Sequence, residues 1–141
     1  MNSLLKRGQQ LSLMTPMRQF SLVSASQLAG VKREDVVGAS DSKWIGSYAK
    51  AVVESGDSTG SHSDALNEYF RKNFRKLEYA QAMDVVSELA TMEQDEPAAC
   101  LDRQFWVWES LEEAIRPEVL EMSLEDFEKV HQVFSLNYKG T

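Results

Sequence analysis

In SKWIGSYAKAVVESG (Ser42–Gly56), Trp44, Ile45, Tyr48, Ala49, Val52 and Val53 fall at i, i+1, i+4, i+5, i+8 and i+9. That spacing puts all six on one stripe of an α-helix, which no strand could do. Asp41 or Ser42 supplies an N-cap, and Gly56 supplies a stop that tolerates a left-handed backbone. The next stretch, SGDSTGSHS (Ser55–Ser63), is rich in glycine and serine and predicts a flexible connection.

The same periodicity continues to the end of the chain. A second helix is expected from about Ser63, with Leu66, Tyr69, Phe70, Phe74 and Leu77 on one face. A third carries Ala82, Val85, Val86 and Leu89, and only Asn73 punctuates the join between the two. EQDEP (Glu93–Pro97) is an acidic loop, and Pro97 suits the first turn of a further helix. That helix is expected to run through Phe105, Trp106, Trp108, Leu111 and Ile115 until it meets Pro117. Ser123 caps a last helix, with Asp126 three residues on, and Leu124, Phe127, Val130, Val133 and Phe134 form its apolar face. No stretch alternates apolar and polar residues as a half-buried strand does.

A shift of 45 residues aligns apolar positions: Leu66 with Leu111, Phe70 with Ile115, Phe74 with Val119, Ala82 with Phe127, Val85 with Val130 and Leu89 with Phe134. Val86 opposite His131 breaks the run. Two degenerate helix-turn-helix repeats give this pattern, and so do two unrelated amphipathic helix pairs. Both readings lead to an all-α fold, a small bundle of antiparallel helical hairpins. An isolated pair of hairpins would lean on a partner.

The composition of the 141 residues is that of a globular domain, 43% hydrophobic and 26% charged. No window of 18 residues is uncharged and apolar enough to span a bilayer. The net charge of −7 is unevenly spread. Residues 1–33 hold Lys6, Arg7, Arg18, Lys32 and Arg33 and no acid, whereas residues 34–141 hold ten basic residues and all 22 acids. The chain therefore divides into a basic arm, 1–33, extended and flexible, and a helical domain, 34–141.

The chemistry-bearing residues form no constellation. The single cysteine, Cys100, excludes an internal disulfide and reads as a small buried side chain. His62 and His131 have no partner at metal-ligand spacing. No serine sits in a nucleophile-elbow context, and the seven glycines build no phosphate loop. Glu112–Glu113 and Glu125–Asp126 read as solvated helix faces. The expectation is a protein that is not an enzyme and needs no cofactor.

Two surface features remain. YFRKNFRKLEY (Tyr69–Tyr79) places Arg71, Lys72, Arg75 and Lys76 at i, i+1, i+4 and i+5, one face of a continuous helix. Such a face could meet phosphates or the acids of a protein partner. The acidic balance around it opposes steering toward RNA, so nucleic acid is the less expected ligand. In FWVWE (Phe105–Glu109), Phe105 and Trp108 share a side and Trp106 lies at its margin, a candidate interface anchor.

The amino-terminal segment supplies the one resemblance. MTPMRQFSLVSAS (Met14–Ser26) contains Arg18, Phe20 and Ser21, spaced as arginine, any residue, an aromatic and serine. In an acid-free stretch with Leu4, Leu11 and Met14 near one side of a helix, this resembles the cleavage motif of mitochondrial presequences. In character the chain is similar to lineage-specific accessory subunits of respiratory-chain and ATP synthase complexes. The resemblance implies a matrix or matrix-face location and a non-catalytic role in an inner-membrane energy-converting complex. Its partners would be other protein subunits, with no transmembrane span of its own. The alternative is a mitochondrial ribosomal or other RNA-associated helical protein. If residues 1–20 persist in the mature protein, they are expected in a groove of neighbouring subunits.

Overall fold

The structure is a computed structural model that describes residues 22–56, 60–93 and 96–134. The described residues contain helices and turns and no strand, which makes the protein an all-α small bundle. A 3-10 helix spans Ala25–Gly30. Seven α-helices follow: α1 Arg33–Val37, α2 Ser42–Ser55, α3 Ser61–Lys72, α4 Tyr79–Leu89, α5 Glu96–Cys100, α6 Phe105–Ile115 and α7 Leu124–Phe134. A 3-10 turn, Arg116–Glu118, extends α6 where Pro117 removes a backbone donor.

Helix α2 is the centre of the bundle. The Asp41 carboxylate accepts from the Lys43 N–H at 3.0 Å, and Gly56 closes the other end with φ 74°. Ten of its fourteen residues are buried, so the helix is enclosed well beyond the six-residue stripe. Small residues explain this, because Gly46, Ser47, Ala49 and Ala51 let neighbours approach the helix closely. Helix α4 lies along α2 in the most extensive pairing of the fold. The Ser42 hydroxyl donates to Asp84 Oδ2 at 2.6 Å where the two helices meet.

The other pairings set up a second layer. Helix α1 packs on α3, α3 on α6, and α7 on α4. The Ser110 hydroxyl, buried in α6, donates to the Phe70 carbonyl of α3 at 2.6 Å. Tyr48, fully buried on α2, has its hydroxyl 2.8 Å from Nδ1 of His62 and 3.2 Å from the His62 carbonyl. Both contacts reach the first turn of α3. Apolar burial of Tyr48, Phe70, Ile45, Leu66, Leu89, Leu101 and Leu111 holds these layers, at roughly 1.5–3 kcal/mol for each large side chain taken from water.

Several expectations change. Helix α3 starts at Ser61 and stops at Lys72, so Phe74 and Leu77 lie beyond its end. The stop is local: Asn73 caps it, with its side-chain amide donating to the Tyr69 carbonyl at 2.8 Å. Arg75 then takes φ 68°, a left-handed backbone that reverses the chain. The helix expected from Pro97 to Ile115 is two helices, α5 and α6, separated by a turn at 101–104. Buried Leu101 turns inward there, and its carbonyl accepts from Trp108 Nε1 at 2.7 Å. Asn67 Oδ1 accepts from the Trp106 N–H at 2.8 Å and so caps α6 from α3.

Residues 22–33 are not a free arm. Leu28 is buried, and the Val23 N–H donates to Ser47 Oγ at 3.0 Å, which docks this stretch on α2. The 45-residue shift does recur in element spacing, since α4 and α7 coincide residue for residue under it. Burial follows only in part. Leu66 and Leu111, Phe70 and Ile115, and Leu89 and Phe134 are buried alike, whereas Ala82 is buried and Phe127 is 48% exposed.

Candidate functional site

Helix α7 is an edge helix, and its attachment leaves a groove. On the α4 side it is held by polar bonds. The Tyr79 hydroxyl donates to Asp126 Oδ2 at 2.7 Å. Lys129 Nζ reaches Ser87 Oγ at 3.4 Å, and the Gln132 amide donates to the carbonyls of Ala90 and Met92 at 2.8 and 3.0 Å. Burial at the Tyr79 hydroxyl, with its bond to Asp126 and that carboxylate's charge, pushes its pKa up to about 12. Ser123 Oγ accepts from the Asp126 N–H at 3.1 Å, as the cap reading expected.

At about 100° per residue, Leu124 and Val133 stand on opposite sides of α7. Val133 and Phe134 enter the core, and Phe134 meets Trp108 edge to face at 5.4 Å. Leu124 therefore cannot, and it is 72% exposed. Phe127 shares a side with Phe134, seven residues on, but two turns nearer the amino end it lines the cavity beside α6 and stays 48% exposed, with Leu120 at 97% and Val119 at 42%. The expected inner face of the last helix is correct at its carboxyl end and wrong at its amino end.

Between α6 and α7 lies a cavity of about 320 Å³. Ile115 and Val119 line it from one direction, and Phe127, Val130 and Phe134 from the other. Glu112, Arg116 and His131 add its polar edge. Arg116 pairs with Glu112 at 2.6 Å and with Glu113 at 3.8 Å, and the Glu112 carboxylate raises the guanidinium pKa further. The His131 ring stacks on Phe127 at 6.2 Å. Residues 109–129, which span most of α6 and α7, carry eight acids against two cations, Arg116 at the groove and Lys129, which lies 3.5 Å from Glu125. An apolar groove with an acidic surround can receive an apolar side chain or a helix. The residues that build it were legible in part, since the 180° separation of Leu124 and Val133 already shows that one of them must face out.

The four cations of 71–76 do not share a helical face. Arg71 and Lys72 end α3, while Arg75 and Lys76 sit in the turn that follows. Arg71 is ion-paired with Glu68. The Arg71 hydrogen bond pulls the Glu68 carboxyl below its ordinary range. Arg75 lies over the Phe74 ring at 5.0 Å and 3.8 Å from Glu113. Lys72 Nζ is 3.5 Å from the Val37 carbonyl. Trp106 is half-buried, edge to face with Phe74 at 5.2 Å and Phe105 at 5.0 Å. The side expected to hold Phe105 with Trp108 splits, because Phe105 is 58% exposed and Trp108 is buried. Cys100 is half-buried at the end of α5, with Sγ 3.9 Å from the Val52 carbonyl. Arg18, Phe20 and Ser21 lie outside the described residues.

Among the described residues no three His, Cys, Asp or Glu side chains gather as metal ligands. No helix among them is long and apolar enough to cross a membrane. Comparison with protein-family models, with curated proteins and with solved structures finds no match to this chain.

Proposed function

We propose that this protein is a non-catalytic accessory subunit that docks onto other proteins through the groove between α6 and α7. The observation that carries the reading is that Val119 and Phe127, large apolar side chains, are exposed where they line an apolar cavity, with Leu120 and Leu124 exposed close to them in the sequence. Such exposure is costly in water and is accounted for when another surface covers it. The presequence-like start supports a mitochondrial setting, and with it an inner-membrane energy-converting complex of the respiratory chain or ATP synthase. An RNA-associated role draws less support, because Arg71 and Arg75 are engaged by acids of the protein itself.

Blue-native separation of mitochondria followed by mass spectrometry tests the reading. The endogenous protein should migrate with a large inner-membrane assembly. Recovery as a free matrix monomer would overturn it.

A further inference from the structure

We infer that the groove between α6 and α7 takes a cationic amphipathic helix from another protein. This rests on the reading of that groove as the docking face, and it names the chemistry of the partner. The cavity between Ile115 and Val119 on one side and Phe127 and Val130 on the other is open along two helices. A third helix laid into such a gap buries one apolar stripe against both, the recurring mode of helix-in-groove recognition.

Charge selects which helix. The segment that builds the groove, residues 109–129, carries eight acids against Arg116 and Lys129, a clear acidic excess even with Glu125 paired to Lys129 and Asp126 bonded to Tyr79. Glu121, Glu125 and Glu128 are exposed there, and Leu124 shares its face of α7 with Glu128, one turn further on. A second copy of this chain would bring the same acids to a two-fold interface, carboxylate against carboxylate. An anionic lipid surface and a nucleic acid carry the same sign and are repelled in the same way. A helix with an apolar stripe flanked by lysine or arginine satisfies both features at once. Its stripe covers Leu124 and Phe127, and its cations meet the acids at the rim, where complementarity acts mainly on association rate and specificity.

The full chain can be titrated with a labelled synthetic helical peptide bearing leucines at i, i+3, i+4 and i+7 and lysines elsewhere. Its counterpart with glutamates for the lysines is the control. The lysine peptide should bind at least about tenfold more tightly at low salt, with the gap closing as salt rises. Phe127→Asp, and independently Leu124→Asp, should abolish binding while far-ultraviolet circular dichroism is retained. The triple change Glu121→Gln, Glu125→Gln, Glu128→Gln should remove most of the preference and leave a weak, salt-insensitive remainder.

Equal binding of the two peptides overturns the charge argument, and binding that survives both aspartate variants overturns the site. A concentration-dependent dimer that Phe127→Asp dissolves would make a second copy the occupant. A roughly tenfold gain in peptide affinity on deleting residues 1–20 would assign the groove to the chain's own amino-terminal segment. Either result rejects a foreign helix. Failure here is separable from failure of the functional reading. If the peptides bind alike but Phe127→Asp releases the endogenous protein from its assembly, the docking face stands and only the charge of its partner is wrong.

Discussion

Gly46 of α2 packs against the backbone of Asp84 on α4, so closely that a Cβ at position 46 would lie 2.9 Å from the Asp84 carbonyl oxygen. The same Cβ would stand 3.0 Å from Glu88 Cγ and 3.3 Å from Val85 Cα, so although the Glu88 side chain can move, the shortest contact is with backbone. The approach places the Ser42 hydroxyl on the Asp84 carboxylate one turn earlier in α2. Gly46→Ala should therefore destabilise the fold by roughly 1–3 kcal/mol despite alanine's better helix propensity. Urea unfolding measures it, and Gly30→Ala, where a Cβ meets nothing within 4 Å, is the control with little change.

The Tyr79–Asp126 bond predicts an alkaline limit. The hydroxyl's pKa is raised from 10.0 to about 12 in the folded state. An acid whose folded pKa is raised gives stability that is fully present below the unfolded pKa and lost as pH climbs through the folded one. Stability should accordingly fall between about pH 10 and 12. Tyr79→Phe should flatten part of that fall. Some slope should remain, since burial, with the Asp41 charge behind it, also raises the pKa of Tyr69.

Core and groove leucines should separate in a thermal or urea series. Leu111 is fully buried and Leu120 is 97% exposed. Leu111→Ala should cost about 2–5 kcal/mol, whereas Leu120→Ala should stay within about 0.5 kcal/mol. A large cost at Leu120 in the isolated chain would mean that this residue is covered.

Asn67→Ala removes the acceptor that caps α6 from α3 at the Trp106 N–H. A loss of about 0.5–2 kcal/mol is expected, the range for a helix cap. Tryptophan fluorescence should report it, because Trp106 is the residue whose backbone is released.

Replacing Arg71, Lys72, Arg75 and Lys76 together with glutamine addresses the nucleic-acid alternative. The isolated protein should show no salt-sensitive RNA binding for these changes to remove. Binding that weakens steeply with salt, by a slope near one per phosphate contact, and that the variant loses would reinstate the RNA reading.

What the sequence by itself determined is local and periodic. Apolar spacing located α2, α4 and α7, and Asp41 and Gly56 marked the ends of α2 and Ser123 the start of α7, because caps and helical faces depend on residues a few positions apart. The all-α class followed from those signals alone. Tertiary structure decided the rest. Asn73 ends α3 through its own side chain, but the left-handed backbone of Arg75, with its guanidinium over Phe74 and 3.8 Å from Glu113, belongs to the tertiary arrangement of the turn against α6. The expected long helix breaks at Leu101, whose side chain is buried and whose carbonyl accepts from the Trp108 indole, a partner beyond the turn that periodicity does not show. Helical spacing alone sets Leu124 opposite Val133, but it puts Phe127 on the side of Phe134, and only packing covers Phe134 and leaves Phe127 exposed. Once the polar bonds of Asp126, Lys129 and Gln132 fix the rotation of α7 on α4, one end of its apolar surface turns inward and the other is left beside the groove.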